Sequence, residues 1–262
     1  MALGEWAAIT GLAVGASCGG ILLIRKFIKT QTLKDHHEAT DPMMACVGTL
    51  FAILLGFMVA NAMGRFENAR QNVQEEAGAV GDVFRLARGL PSPCNTDIMK
   101  NCVAYLDAVS PEEFAAMRES KMSDKCWDIY SKMWDQCISY DPQTQGQSNL
   151  HQGLVEAMTK FGECRRARSA QLHYALPPVL WTVVFIGAAA IIIFTFFFGV
   201  ENVALQVGMT AAVTIILSLN IYLLKAFDSP FDGQVYVSPI PFEANKKLFS
   251  DALAQELNHP HK

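Results

Sequence analysis

Seven side chains at helical spacing carry the most chemical information in this chain: Leu50, Leu54, Phe57, Asn61, Arg65, Asn68 and Asn72. Each residue turns an α-helix by about 100°, so the seven fall within roughly 80° of one another on a wheel. The strip is apolar at one end. It becomes amide-rich, with one guanidinium, at the other. A face turned to lipid has no reason to carry Asn61. A face turned to an axis shared by several copies does: Leu54 and Phe57 would form a dry constriction, with Asn61, Arg65, Asn68 and Asn72 as rings of donors below it. Apolar constrictions gate by dewetting, and rings of amides and positive charge favour small anions. The other reading of the same face sets Leu50, Leu54 and Phe57 against lipid and bonds Asn61 to a sister helix.

The far side of that segment carries Gly48, Ala52, Gly56, Ala60 and Gly64, a small residue at every fourth position. The series drifts by about 40° per step and wraps the helix as a shallow stripe. Small residues let another backbone come close, and close packing holds helices together in lipid. An earlier segment has its own series, Gly11, Gly15 and Gly19. The plainest account packs these two helices together or sets them against a neighbouring subunit.

Other groupings are weaker. Asp35-His36-His37-Glu38 with Asp41 places five ligand-type side chains in seven residues, but adjacent loop residues rarely converge on a metal. A solvated loop is the expectation, and no metal is assigned. A ring of His36 and His37 at an outer mouth would titrate near neutral pH. Arg165, Arg166 and Arg168 suit headgroup contact, interhelical pairing or attraction of anions. There are seven cysteines and no CxxC, which argues against zinc and leaves open whether Cys94, Cys102, Cys126 and Cys137 pair. Trp127, Tyr130, Met133 and Trp134 read as a core stripe. No GxSxG, HExxH or phosphate loop is present, so neither enzyme activity nor a cofactor is expected. The net charge of −4 implies no affinity for nucleic acid.

The elements that must hold these residues are membrane helices. Of the 262 residues, four runs lack any Asp, Glu, Lys or Arg: Trp6–Ile24, Pro42–Gly64, Gln171–Val200 and Asn202–Leu224. Each approaches or exceeds the ~20 residues that cross a bilayer core of about 30 Å. Backbone in lipid must satisfy itself, so the runs should be helical. Positive charge follows the first run rather than preceding it, so it reads as a retained helix and not a signal peptide.

The fold class is therefore an all-α membrane protein with four transmembrane helices and a cytoplasmic helical bundle inserted between the second and third. Its parts are 1–64 (helices 1 and 2), 65–170 (bundle), 171–227 (helices 3 and 4) and 228–262 (a strap and short helix). Within the bundle, 65–88 extends the second membrane helix to Gly89-Leu90-Pro91. Thr96 and Asp97 should cap the next helix, and Ser110-Pro111-Glu112-Glu113 has the form of a capping box. Lys and Arg near the membrane ends place both termini in the cytoplasm.

The tail, Asp228-Ser229-Pro230-Phe231-Asp232-Gly233 followed by Val237-Ser238-Pro239 and Phe242, is similar to the D-x-P-F-x-G…V-x-P…F signature of the bestrophin-like family of bacterial membrane proteins. His37 with Asp41, Glu76-Ala77, Leu90-Pro91, Arg165–Arg168, and Leu176-Pro177 with Trp181 also resemble that family. The resemblance spans nearly the whole chain. It implies four membrane helices and a cytoplasmic helical region. It also implies architectural kinship with bestrophins, ring-shaped anion channels with an apolar neck on the second helix. Leu50, Leu54 and Phe57 match that neck by position. A bacterial inner membrane and a ring of four or five copies are implied too. Only Asp228, Asp232 and Glu243 stand where animal bestrophins carry a dense acidic calcium clasp, too few for 6–8 oxygen ligands. In physical terms Asp228, Pro230, Phe231, Gly233 and Pro239 look structural: Pro230 and Gly233 set a turn, and Asp228 is placed to accept from the Arg165–Arg168 cluster.

Two functions follow. One is an oligomeric ion channel of the lipid bilayer passing small anions, with helix 2 lining the pore. The other is a non-conducting scaffold whose cytoplasmic helices dock a partner.

Overall fold

The computed structural model describes residues 3–27 and 37–258. Among them every regular element is a helix. The helices are α1 (Leu3–Phe27), α2 (His37–Arg88), α3 (Cys94–Ala108), α4 (Phe114–Arg118), α5 (Asp124–Ile138), α6 (Gln145–Gln171), α7 (Pro178–Phe196), α8 (Val203–Asp228) and α9 (Ile240–Asn258). Four of these are long and apolar enough to cross a membrane: α1, the first part of α2, α7 and α8. Two compact units result, one of 1–64 with 175–228, the other of 65–174 with 229–262.

In the first unit α1 packs on α8 and α7. Phe51, Leu55, Met58 and Ala62 of α2 are buried with Val184, Ala188 and Ile191 of α7 and with Ile221 and Leu224 of α8. Gly187 admits the Phe51 ring so closely that a Cβ there would lie 2.3 Å from it. Trp6 stacks obliquely on Tyr222 with centroids 5.6 Å apart, and Lys225 sits 5.9 Å over Trp181. The starts of α1 and α7 and the end of α8 thus share one aromatic and basic belt, the composition of a membrane–water boundary.

A polar seam runs between α1, α7 and α8. Thr10 Oγ1 and Ser218 Oγ are 2.6 Å apart, Thr214 donates to Ser17 at 3.1 Å, and Thr210 donates to Thr195 at 2.9 Å. Gln206 donates to the carbonyls of Thr195, Phe196 and Phe198 and accepts from Arg25 Nε. Arg25 also donates to the carbonyl of Val200. Orphan carbonyls at the end of α7 are satisfied in this way. Gln206, Thr210, Thr214 and Ser218 recur every fourth residue, one side of α8.

The second unit closes around Val80, Val83 and Phe84 of α2, Met99 and Tyr105 of α3, Met133 of α5, Met158 and Phe161 of α6, and Phe242 and Phe249 of α9. Phe249 stacks on Phe84 at 4.1 Å. Several local expectations are corrected here. The start of α3 is Cys94, with Pro93 at the cap, and Asn95 rather than Thr96 or Asp97 accepts a turn amide, that of Thr96 at 2.6 Å. Ser110-Pro111-Glu112-Glu113 is no capping box. Val109–Glu113 continues the chain as one wide π-type turn. Ser110 donates to Glu243 at 2.7 Å, while Glu113 points inward to two arginines. Of the expected stripe only Trp127 leaves the core, at 45% exposed; Trp134 packs half-buried against it, and Cys126, Tyr130, Met133 and Cys137 form the buried side of α5. All seven cysteines are free thiols.

The tail turns at Gly233, whose φ of +96° suits glycine. The turn is closed by Val237 N donating to the Pro230 carbonyl at 2.8 Å. Phe231 and Val237 enter the core, with Phe231 edge-on to Phe114. The Pro239 carbonyl accepts the amides of Phe242 and Glu243 at the start of α9.

Candidate functional site

In the first unit, Leu50 (64% exposed), Phe57 (73%) and Asn61 stand clear of the other helices, and Leu54 is half-buried. This face lies about 100° round α2 from the Phe51–Ala62 face that packs on α7 and α8. Leu54 is the member nearest that packed face, which accounts for its partial burial. In the second unit, Asn68 is exposed and Arg65 and Asn72 half-buried. Arg65 donates to the Tyr174 carbonyl at 3.0 Å, which fixes a positive charge beside the helix.

The small-residue series lies open. No atom comes within 4 Å of where a Cβ would sit on Gly48, Gly56 or Gly64, nor on Gly11, Gly15 or Gly19. The two glycine series therefore do not meet each other within the chain. Asp35 and His36 lie outside the described residues, as do the side chains of His37 and Glu38.

The Arg165–Arg168 cluster divides. Arg166 is exposed, whereas Arg165 and Arg168 are buried at 2% and 0%. Arg165 grips Glu113 with two bonds of 2.8 Å and donates to Tyr105 Oη at 2.8 Å. Arg168 donates to Glu76 at 2.6 and 2.9 Å and also to Glu113. Tyr105 completes the ring by donating to Glu76. Two guanidinium groups thus face two carboxylates. Burial would raise the Glu113 carboxyl, but Arg168 and Arg165 outweigh it and hold it below the usual range. Burial, with Glu76 beside it, pushes the Tyr105 hydroxyl well up. The head groups of Arg165 and Arg168 are thus occupied within the second unit; in the first, Asp228 accepts the Leu176 amide at 2.8 Å, tying the start of α7 to the end of α8.

Sequence reasoning missed Glu75. It continues the strip by one turn, and Lys160 reaches it at 3.1 Å. Bonds from Lys160 and Gln71 hold its carboxyl below the usual range. Its charge is thus balanced locally by Lys160. The spacing Asn68, Asn72, Glu75 was the available signal.

Four apolar helices and a helical unit without strands define an integral membrane protein of the all-α class. The Bestrophin-like domain model matches residues 11–242, and the chain belongs to that family. Among solved structures it is similar to a bacterial bestrophin homolog from Klebsiella pneumoniae phased by Zn-SAD, at 14% identity, covering 95% of this chain and 99% of that one with a TM-score of 0.64. A point-mutated form of the Klebsiella pneumoniae homolog matches at 12% identity, 94% and 99% coverage and a TM-score of 0.66. A structure described only as a membrane protein matches at 12% identity, 93% and 98% coverage and a TM-score of 0.67. No curated protein matches the chain.

Proposed function

We propose that this chain is the subunit of a ring-shaped ion channel of a bacterial inner membrane, selective for small anions, with α2 lining the axis. One observation carries the reading: Leu50, Phe57 and Asn61 take no part in the chain's own packing, although the neighbouring face of the same helix is fully used. An exposed Asn61 inside an uncharged run has little place against hydrocarbon. It has one around water. In the assembly Leu54 and Phe57 form the dry neck, and Asn61, Arg65, Asn68 and Asn72 supply donors toward the cytoplasm. The open glycines of α1 and α2 supply contacts between copies, four or five in number. The second unit and both termini face the cytoplasm, as the basic residues near the membrane ends support.

Purified protein in planar bilayers tests this, with the intact oligomer verified beforehand. Wild type should carry an anion current. Phe57→Ala should widen the neck and raise the current, and Asn61→Leu should extend the dry zone and lower it. Silence of both wild type and Phe57→Ala in an intact oligomer overturns the reading. A C-terminal reporter that matures only in the periplasm should stay dark.

A further inference from the structure

The helical hairpin α5–α6 holds an open cleft of about 560 Å³ that neither the strip nor the buried ion cluster uses. That volume is in the range of small-ligand sites. Trp127, Tyr130 and Trp134 line it from α5. Neighbouring rings are nearly parallel, at 5.4 Å and 30°, then 6.4 Å and 23°. Tyr130 is the floor: it is buried, and its hydroxyl donates to the Met158 carbonyl at 3.3 Å. Gly162 leaves the room for this. A Cβ there would lie 2.3 Å from Tyr130 Oη and 3.2 Å from Arg166 Nη1. The Arg166 guanidinium is thus folded over the glycine, beside the phenol.

The cleft is charged differently at its two ends. Arg165 lies 5.8 Å over the Trp127 ring, and His151 reaches the Cys137 carbonyl at 2.9 Å, so α5 and α6 run antiparallel. Arg166 therefore lines the Trp127 end. Asp135, eight residues and about 12 Å along α5, lines the Trp134 end with Ser131 and Thr159 between. Among the described residues, the side chains of Arg166 and Asp135 carry no hydrogen bond or ion pair with another residue. The Thr159 hydroxyl already donates to the Val155 carbonyl.

We propose that this cleft binds a zwitterionic small molecule of the betaine class, a carboxylate joined by a short chain to a quaternary ammonium. The carboxylate meets Arg166. The ammonium lies against the Trp134 ring and Asp135. A simple anion of that length would meet Asp135, and a simple cation would meet Arg166; a zwitterion answers both. Indole faces attract alkylammonium groups through the ring quadrupole. The methyl groups also bury apolar surface that a primary ammonium lacks.

Calorimetric titration of the full-length protein in detergent with γ-butyrobetaine tests the proposal, with tetramethylammonium and acetate as half-ligands. Saturable binding of γ-butyrobetaine is expected, with each half-ligand weaker by about tenfold or more. Arg166→Gln and Asp135→Asn should each weaken binding by about tenfold or more, the scale of one charge-assisted contact. Both side chains are exposed and unpaired, so elution volume and unfolding temperature should match wild type. No saturable binding up to about 10 mM, equal binding of a half-ligand, or unchanged affinity in both variants overturns the proposal. So does dissociation of the oligomer in either variant, which would make the cleft a contact between copies. Conduction plays no part in the measurement, so this test and that of the channel fail separately.

Discussion

The two units bury polar groups of different kinds. In the first, the buried polar residues inside the uncharged runs are Ser17, Thr195, Gln206, Thr210, Thr214 and Ser218, all neutral; among the described residues its one buried charge, Asp228, stands at the very end of α8, where it accepts the Leu176 amide. In the second they include Glu76, Glu113, Arg165 and Arg168, all charged. Both sets join helices remote in sequence. The difference fits the proposed placement, in which the first unit meets lipid when it is loosened and the second meets water. A loosened bundle in water rehydrates its charges, so a compensated ion cluster is tolerable and sensitive to geometry. A loosened helix in lipid has no water to return to, so only groups cheap to expose serve there. Hydroxyls meet that condition because they bond to their own helix, as Ser17 does to the Val14 carbonyl at 2.9 Å and Thr10 to the Trp6 carbonyl at 2.9 Å.

The sharpest way to break the comparison is to unbalance the charged cluster. Arg168→Met keeps an unbranched apolar stem but removes the guanidinium, and leaves Glu76 and half of Glu113 buried without their cation. A loss of about 3–5 kcal/mol is expected for stripping one partner from a buried pair. In detergent, circular dichroism should show the second unit losing helix at a much lower temperature. Survival at the wild-type temperature would mean that water reaches the cluster.

The second test sharpens the contrast through pH. The Glu113 carboxyl is held below its ordinary value of 4.5. Its contribution to stability is therefore fully present above about pH 4.5. It is lost as the pH falls through the lower folded value, where the carboxyl takes up a proton. Tyr105 is shifted upward, so it stays neutral through the neutral range. The wild-type unfolding temperature should be flat from neutrality to about pH 5 and fall below that. Glu113→Gln should start lower and show a shallower acid slope. The hydroxyls of the first unit do not titrate, so they add no slope of their own.

How much of this was legible follows the same division. The four uncharged runs announce α1, the start of α2, α7 and α8, because lipid permits few alternatives. The long α2 was readable from the absence of proline between Arg65 and Arg88. The buried cluster was not. Arg165, Arg166 and Arg168 are equivalent in sequence, and only packing shows that two turn inward and one outward. Glu113 sits in a motif that imitates a helix cap, since a local pattern cannot reveal a partner 52 residues away. Trp127 and Trp134 share helical spacing with Tyr130 and Met133, and spacing alone does not say which part of the stripe is covered. The hydroxyl seam did leave a trace. Gln206, Thr210, Thr214 and Ser218 repeat at intervals of four through an otherwise apolar run, the same register by which the glycines of α2 were recognised.

The smallest expected effect tests the first unit. Thr214→Val is nearly isosteric and removes one hydroxyl from the seam. Ser17 keeps its own bond to the Val14 carbonyl at 2.9 Å, so no donor proton is stranded by the change. Hydrogen bonds between membrane helices average about 0.6 kcal/mol, and the variant should lower the unfolding temperature by a degree or two at most. Ser17→Ala should cost a similar amount. The double variant should cost less than the sum, because the two single changes remove the same contact. A coupling several times larger, on the scale of the Arg168 variant, would place the seam in the same energetic class as the ion cluster. The distinction between the two units would then rest on the chemistry of the groups rather than on the strength of their contacts.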